Sequence, residues 1–254
     1  MIKLKIGIFD SGIGGITVLN EALKMLPNEE YIYYADSYNA PYGNKPKDVV
    51  REYIFQVVKF LDRQQIDALV IACNTATSIA VRELRKIYDF PIIGMEPAVK
   101  RAIEYNNDKR ILVTATNLTL KEEKYHKLVE RFDKQSRVDS LALPKLVEFA
   151  ENYMFDEEKI ISYLTSQLEI YEWKDYSSIV LGCTHFPFYK KWFREILPDH
   201  VKIIDGNKGT IKHLKNILSE GKENCNNNRG KVTLYYSGEE DKDNYILNKY
   251  LRIL

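Results

Sequence analysis

Short apolar runs alternate with longer segments of helical period through the first hundred positions. In residues 48–64, apolar side chains recur every three or four positions from Val50 to Leu61. The predicted strands are Ile6–Phe9, Tyr31–Ala35, Ala68–Ala72 and Pro91–Gly94, and the helices between them are Ile16–Met25, Asp48–Gln64 and Thr75–Tyr88. Strict alternation of strand and helix predicts an α/β fold with mainly parallel sheets flanked by helices.

The pattern restarts near residue 110, which indicates a second, related half. Residues 110–116 resemble residues 5–11: a basic residue, an apolar strand and small polar side chains. Residues 179–185 resemble residues 69–75: an apolar strand, a small residue, a cysteine and two polar side chains. The repeat predicts two similar domains.

The end of the chain is predicted to return to the first half. Its predicted elements are the helix Thr210–Leu218, the strand Lys231–Tyr236 and the helix Asp243–Leu254. The asparagine-rich stretch Lys222–Gly230 predicts a mobile loop. We therefore predict a first domain of residues 1–96 plus about 207–254 and a second domain of residues 97–206.

Composition restricts the partners. Lys and Arg total 37 and Asp and Glu total 36, so a chain of net charge +1 has no basic footprint for nucleic acid. No apolar run approaches the roughly 18 residues of a membrane span, and the first residues predict a strand rather than a signal peptide. The three cysteines, Cys73, Cys183 and Cys225, are too few and odd in number for a disulfide framework, which favours the cytoplasm. Nothing near Cys225 would tune its pKa, so we interpret it as an incidental thiol.

Cys73 and Cys183 each follow a predicted buried strand. Ligands of parallel sheets bind outside the carboxyl ends of the strands, so two facing halves would direct both thiols at one ligand. Inverting a carbon requires one group to remove a proton from one face and another to deliver a proton to the other. Protein surroundings can lower the thiol pKa from about 8.5 towards neutrality. Each cysteine alone could be a small core residue, but the matched pair favours inversion of an amino acid's α-carbon.

The segment 10–15, Asp-Ser-Gly-Ile-Gly-Gly, follows a strand and opens a helix. Its glycines allow a ligand to approach the backbone, and the helix N-terminus favours a carboxylate or a phosphate. A phosphate- or nucleotide-binding module using Gly12–Gly15 is therefore an alternative, although the loop lacks the full spacing of either phosphate fingerprint. Asp10 could equally be a helix N-cap. A thiol redox protein is a weaker alternative, because the chain has no Cys-x-x-Cys.

Three further features have both a functional and a structural interpretation. His185, two positions after Cys183, is either a tuning group or general acid, or a hydrogen-bonded histidine at a strand end. Glu151 ends an amphipathic run and by itself would be a solvated helix charge. Pro41–Gly43 by itself encodes a turn.

Five motifs together resemble those of the bacterial glutamate racemases. In order they are Phe-Asp-Ser-Gly-Ile-Gly-Gly at 9–15, Ala-Asp at 35–36, Pro-Tyr-Gly at 41–43, Ala-Cys-Asn-Thr-Ala-Thr at 72–77 and Leu-Gly-Cys-Thr-His-Phe-Pro at 181–187. The two cysteine motifs are specific to the aspartate/glutamate racemase superfamily. The Pro-Tyr-Gly and Gly-Cys-Thr-His motifs favour glutamate racemases within it.

The resemblance implies an amino-acid racemase, an isomerase that needs no cofactor and no metal. It would interconvert L- and D-glutamate and supply D-glutamate for peptidoglycan, and so for cell-wall synthesis and cell shape. Two similar domains would enclose the active site, and the enzyme would be a cytoplasmic homodimer.

The resemblance also assigns roles to residues. Cys73 and Cys183 would transfer the protons, with Cys73 acting on D-glutamate. Asp10 would assist Cys73, and His185 would assist Cys183 with Glu151 nearby. The substrate's amino and carboxylate groups would be bound by Ser11, Pro41, Tyr42, Gly43, Asn74, Thr75, Thr116, Thr119 and Thr184.

We single out three departures from the family's pattern. In the loop that usually reads Gly-Thr-x-Gly-Thr, Leu118 replaces the second glycine. Leu143 stands where a cysteine often precedes the proline, and Gly206 follows Asp205 where serine is common. A racemase of another acidic amino acid, chiefly aspartate, remains the nearest alternative. The length of the pocket would distinguish glutamate from aspartate, and one sequence does not give that length.

Overall fold

The computed structural model describes residues 3–95, 98–105, 108–219 and 230–254. The predicted α/β fold with parallel sheets is confirmed. The strands are β1 (Lys5–Asp10), β2 (Glu30–Ala35), β3 (Ala68–Ile71), β4 (Ile92–Gly94), β5 (Arg110–Ala115), β6 (Val138–Ala142), β7 (Tyr176–Leu181), β8 (Lys202–Asp205), β9 (Val232–Tyr236) and β10 (Glu239–Glu240). The helices are α1 (Ile16–Met25), α2 (Lys47–Arg63), α3 (Asn74–Ile87), α4 (Val99–Glu104), α5 (Asn117–Lys121), α6 (Glu123–Phe132), α7 (Pro144–Glu151), α8 (Glu157–Leu168), α9 (Lys190–Ile196), α10 (Asn207–Ser219) and α11 (Tyr245–Leu251).

The described strands form two sheets. The larger has the order β10-β9-β2-β1-β3-β4, and every neighbouring pair is parallel except β9 and β10. The smaller has the order β6-β5-β7-β8 and is parallel throughout. All four residues of β3 are buried, as expected for a strand covered by helices on both faces. Loops follow the carboxyl ends of β3 and β7, and ligands of parallel sheets bind at such loops.

The membership of the sheets supports the predicted division into two domains, which stays a prediction. Every strand of the larger sheet comes from residues 5–94 or 232–240, and every strand of the smaller sheet comes from residues 110–205. The late helices α10 and α11 pack against α1, on the side of the larger sheet. We refer to the larger sheet with its helices as the first lobe and to the smaller as the second lobe.

The end of the chain differs in detail from its prediction. The last helix begins at Tyr245 rather than Asp243, because the Asp241 carboxylate accepts the first free N–H groups, those of Tyr245, Ile246 and Leu247. The two-residue strand β10 was not predicted; it is too short for a periodic signal. Most of the predicted mobile loop, residues 222–229, lies outside the described residues.

Among the described residues, no helix combines the length and apolar character that crossing a membrane requires.

Candidate active site

The thiols of Cys73 and Cys183 lie at the carboxyl ends of β3 and β7 and are buried and unpaired. Both line one cavity between the lobes. The same cavity is lined by all nine residues predicted to bind substrate, namely Ser11, Pro41, Tyr42, Gly43, Asn74, Thr75, Thr116, Thr119 and Thr184. His185 also reaches it, whereas Asp10 and Glu151 lie behind the lining. The structure thus brings together residues from six separate segments of the chain.

Two lining residues, Val147 and Gly182, were missed by the sequence analysis. Gly182 directly precedes Cys183 inside the motif at 181–187, so the motif itself could have identified it. Val147 lies on the buried face of α7, where nothing distinguishes it from a core residue.

The cavity measures only about 10 Å³. This is about the room that a single water molecule needs. An amino acid with a charged side chain is far larger, so the cavity must widen to admit one.

The Cys73 thiol caps the start of α3, because its Sγ accepts a hydrogen bond from the Ala76 N–H at 3.3 Å. Burial, with a further contribution from the negative charge of Asp10, raises the pKa of this thiol to about 12. Hydrogen bonds from Ser11 and Ala76 oppose the shift without cancelling it. The expectation that the surroundings lower the thiol pKa is therefore wrong for Cys73 in the free protein, because burial outweighs the hydrogen bonds.

Cys183 begins a short chain of side chains. Its Sγ lies 3.6 Å from Nδ1 of His185, and Nε2 of His185 lies 2.6 Å from Oε1 of Glu151. Burial lowers the pKa of His185, but the interactions with Cys183 and Glu151 outweigh it and hold the pKa well above the usual 6.5. His185 is therefore placed to carry a proton beside Cys183.

Glu151 is not the solvated helix charge that its own segment suggests. It ends α7, but only 14% of its side chain is exposed. Besides His185, its carboxylate accepts hydrogen bonds from the Ile13 N–H at 2.8 Å and the Ser37 hydroxyl at 3.0 Å. The carboxylate therefore links the second lobe to the first and orients His185.

Asp10 is not the N-cap of α1. The N-cap position belongs to Gly15, and no side chain caps this helix. Instead, the fully buried Asp10 carboxylate accepts the Gly12 N–H at 3.2 Å and the Thr184 hydroxyl at 3.1 Å. Burial raises its pKa to about 6, while the neighbouring His185 lowers it. Asp10 is thus mostly ionised at neutral pH and lies beside both cysteine loops.

The glycine loop is occupied by the protein's own carboxylates. The N–H groups of Gly12 and Ile13 already donate to Asp10 and Glu151. A Cβ at Gly12 would lie 1.7 Å from Oε1 of Glu151, and a Cβ at Gly14 would lie 2.4 Å from Nδ1 of His185. These glycines make room for catalytic-site side chains, which argues against the phosphate- or nucleotide-binding alternative.

Three threonine hydroxyl groups at the cavity wall form hydrogen bonds between the two lobes. Oγ1 of Thr75 lies 3.1 Å from that of Thr116 and 3.0 Å from that of Thr119. Thr116 also caps α5 by accepting the Thr119 N–H at 3.2 Å. Leu118 lies inside this short helix, whose backbone needs no glycine, so the departure from the family pattern leaves both hydroxyls in place.

The loop 36–46 closes the cavity from the first lobe. The Tyr42 hydroxyl donates to Oδ2 of the buried Asp36 at 2.5 Å, and Asn39 donates to the same carboxylate. Residues Tyr42–Asn44 form a 3₁₀ turn. Gly43 lies against Thr116 of the second lobe, where a Cβ would come within 2.7 Å of the threonine Cβ. The turn encoded by Pro41–Gly43 is therefore a contact between the lobes.

The other two departures lie away from the lining. Leu143 is fully buried immediately before α7, and Gly206 is half-buried before α10. In the described part of the chain, no group of three or more His, Cys, Asp and Glu side chains is arranged to hold a metal ion.

Comparison with known proteins identifies the family that the sequence motifs resemble, over nearly the whole chain. The sequence profile described as Asp/Glu/Hydantoin racemase matches residues 16–214. A glutamate racemase of Halothermothrix orenii is 54% identical over 252 residues, which cover 99% of each chain. A solved glutamate racemase isoform of Bacillus anthracis has a TM-score of 0.87 at 30% identity, covering 98% of this chain and 94% of that one. A Francisella tularensis glutamate racemase solved with D-glutamate has a TM-score of 0.83 at 28% identity, with the same coverage.

Proposed function

Because the chain belongs to the Asp/Glu/hydantoin racemase family, we propose that it interconverts L- and D-glutamate by proton transfer through Cys73 and Cys183, without a cofactor. The observation that best supports this proposal is that the two thiols belong to different lobes and line the same cavity. The substrate follows from relatives that are glutamate racemases, among them one that is 54% identical over nearly its full length. The D-glutamate complex of a similar protein supports the same substrate class.

The proposed reaction uses each cysteine once per turnover. With glutamate between the lobes, one thiolate takes the proton from Cα, and the opposite thiol donates its proton to the other face of the carbanion. The first cysteine ends as a thiol and the second as a thiolate, so the reverse reaction starts from the product state. Cys73 acts on D-glutamate in this scheme and Cys183 on L-glutamate.

Substrate binding would supply the charge that the free site lacks. Burial and Asp10 keep Cys73 protonated in the free protein. The substrate's ammonium group carries a positive charge into the cavity, and a nearby positive charge lowers a thiol pKa. Thiolate formation would therefore depend on bound substrate. His185, whose pKa lies well above 6.5, supplies a similar charge next to Cys183.

The substrate groups would be held mainly by neutral hydrogen-bonding residues. Ser11, Thr75 and Thr184 offer hydroxyls, and Asn74 presents a buried amide oxygen that has no partner in the protein. We assign this amide to the ammonium group, because a buried acceptor without a partner is costly. Neutral groups also avoid binding the charged ground state more tightly than the carbanionic transition state.

The proposal is tested with purified protein, L-glutamate and D2O, without added cofactor. Circular dichroism follows the loss of optical activity, and NMR follows deuterium at Cα. We expect racemisation of glutamate, with a fall of at least about 10³-fold in Cys73→Ser and in Cys183→Ser, since each removes an essential proton carrier. Aspartate is the parallel substrate: turnover of aspartate alone would overturn the choice of substrate, and inertness of both acids would overturn the two-cysteine mechanism.

The biological setting forms part of the same proposal. A cytoplasmic racemase of this kind would supply D-glutamate for peptidoglycan and so influence cell-wall synthesis and cell shape. The buried free thiols of Cys73 and Cys183 suit a reducing compartment. A homodimer is proposed from the family resemblance, and sedimentation at twice the chain mass is the expected result; sedimentation at the single-chain mass at micromolar concentration would contradict it.

A further inference from the structure

We propose that Thr17 and Asn207 are positioning residues for Cys183, an inference that rests on the proposed racemase reaction. Neither side chain lines the cavity that holds the two thiols. Both act through the backbone carbonyl of Thr184, the residue between Cys183 and His185.

Thr17 lies in the first turn of α1, with 2% of its surface exposed. Its hydroxyl donates to the carbonyl oxygen of Thr184 at 2.9 Å, although 167 positions separate the two residues. The bond runs from the first lobe to the turn that carries Cys183 in the second lobe. It therefore fixes the peptide plane one residue after the thiol.

Asn207, the first residue of α10, holds the Thr17 hydroxyl from the other side. Its Nδ2 donates to Oγ1 of Thr17 at 3.0 Å. A carbonyl oxygen can only accept, so the Thr17 hydrogen must point at Thr184 and the amide must present its N–H to Thr17. Asn207 is itself fixed, because its backbone N–H donates to Oδ1 of Asp205 at 3.0 Å. Each donor in this network therefore has one acceptor, and the Thr17 hydroxyl is fixed in a single orientation.

Thr184 is thus held at two points by the first lobe. Thr17 binds its carbonyl, and Oδ1 of Asp10 accepts its hydroxyl at 3.1 Å. The Cys183 turn can therefore not rotate without breaking bonds to the opposite lobe. Because proton transfer tolerates little misplacement, a shift of about 1 Å can cost about 100-fold in rate.

Thr17→Val tests the proposal with almost no change in shape. The substitution leaves the Thr184 carbonyl and the Asn207 amide buried without their partner. Thr17→Ser keeps the hydroxyl and is the rescue variant. Asn207→Ala is an independent second variant, because it removes the other half of the network and leaves the Thr17 hydroxyl.

Tyr31→Phe is the matched control. Tyr31 is also a buried residue of the first lobe, with 1% exposure. Its hydroxyl lies 2.6 Å from the carbonyl oxygen of Leu26 and 3.2 Å from that of Ala22, at the opposite end of α1 from Thr17. Its loss should loosen α1 and destabilise the fold, but these partners belong to neither cysteine turn.

Two readouts separate positioning from general loosening. The first is the split between kcat and KM for glutamate, and the second is the rate of iodoacetamide alkylation of Cys183 relative to Cys73, measured by mass spectrometry. For Thr17→Val we expect kcat to fall about 10- to 100-fold with KM within about 3-fold, and the Cys183/Cys73 ratio to change at least about 3-fold. Asn207→Ala should change both readouts in the same direction, Thr17→Ser should stay within about 3-fold of wild type, and Tyr31→Phe should leave the alkylation ratio unchanged.

A folded Thr17→Val or Asn207→Ala protein with wild-type kcat and a wild-type alkylation ratio would overturn the proposal. The same change of ratio in Tyr31→Phe would also overturn it, since loosening of the lobe would then suffice. Failure of the proposed function is a separate result: the wild-type protein itself would not racemise glutamate. In that event the alkylation ratio still decides whether Thr17 positions Cys183.

Discussion

The carboxylate of Glu151 lies 2.6 Å from Nε2 of His185, although the two residues are 34 positions apart. The opposite ring nitrogen, Nδ1, lies 3.6 Å from the Cys183 thiol. A buried histidine would ordinarily be neutral, but the two neighbours hold its pKa well above 6.5. Glu151 therefore provides the negative charge that lets His185 carry a proton beside the Cys183 thiol.

Glu151→Gln should lower the pKa of His185. The substitution keeps the shape and a hydrogen-bond acceptor but removes the charge that favours the imidazolium. NMR titration of the His185 Cε1–H resonance measures the shift, which we expect to be at least about one pH unit. Glu148→Gln, an exposed carboxylate one turn earlier on α7, is the control and should leave His185 unchanged. Equal titration curves for wild type and Glu151→Gln would contradict this account of His185.

Gly12→Ala should destabilise the protein and reduce activity. The added methyl group would collide with Oε1 of Glu151 and displace the carboxylate from His185 and Ile13. Overpacking of this kind typically costs about 1–3 kcal/mol, measurable by urea unfolding. Gly209→Ala is the matched control, because Gly209 lies in α10 with no atom within 4 Å of the new Cβ. That change should stabilise the helix by roughly 0.5–1 kcal/mol, and an equal loss in both variants would refute the steric explanation.

Asp10→Asn should become more stable relative to wild type as the pH rises. In the unfolded chain Asp10 has a pKa near 3.8, whereas burial raises it to about 6 in the folded protein. The folded state therefore binds the proton more tightly, and the wild type loses stability between about pH 4 and pH 6. The full difference is on the order of 3 kcal/mol, and asparagine does not titrate.

Urea unfolding of wild type and Asp10→Asn at pH 4 and pH 7 measures this difference directly. Comparing the two proteins at each pH cancels the titration of groups they share. If wild type and Asp10→Asn differ in stability by the same amount at both pH values, burial does not raise the pKa of Asp10.

Lys47→Ala should favour the open form of the site. Lys47 in the first lobe binds the buried Glu122 of the second lobe at 2.8 Å, beside the hydroxyl cluster of Thr75. A half-exposed ion pair contributes up to about 1 kcal/mol, so its loss should speed hydrogen exchange of α5 and raise KM by about 2- to 5-fold. Saturating glutamate should slow exchange in the same helix if closure accompanies binding.

Lys24→Ala is the control for charge alone. Lys24 pairs with Glu21 at 3.1 Å inside α1, so this pair does not join the lobes. It should change neither exchange in α5 nor KM. Equal effects of Lys47→Ala and Lys24→Ala would attribute the result to surface charge instead of closure.

Local signals were sufficient to predict the strand–helix alternation and the cysteine loops. Cys73 and Cys183 follow apolar strands, and the carboxyl ends of parallel strands collect ligand-binding groups wherever such a sheet forms. The glycines at 12 and 14 signalled a close approach, but the approaching groups are Glu151 and His185, not a phosphate. The sequence could predict that room was needed, but not which group would fill it.

Contacts between distant segments could not be predicted in this way. The local sequence predicts that Glu151 is a surface charge on α7. Its partners Ile13 and His185 lie 138 and 34 positions away, so no local pattern indicates these contacts. Thr17 reads as an ordinary residue of a first helical turn, and its bond to Thr184 exists only once the lobes meet. The raised pKa of Cys73 has a similar origin, since burial in the folded chain is its largest cause.

The two-cysteine mechanism is tested most directly by where solvent deuterium first appears. L-glutamate is incubated with the protein in D2O, and both enantiomers are separated and analysed after less than about a tenth of the conversion. If Cys183 removes the proton and Cys73 donates its own, the newly formed D-glutamate carries deuterium at Cα while the remaining L-glutamate keeps protium. Deuterium entering the remaining L-glutamate as fast as D-glutamate forms, or D-glutamate that retains its original proton, would mean that one group serves both faces and would contradict the account.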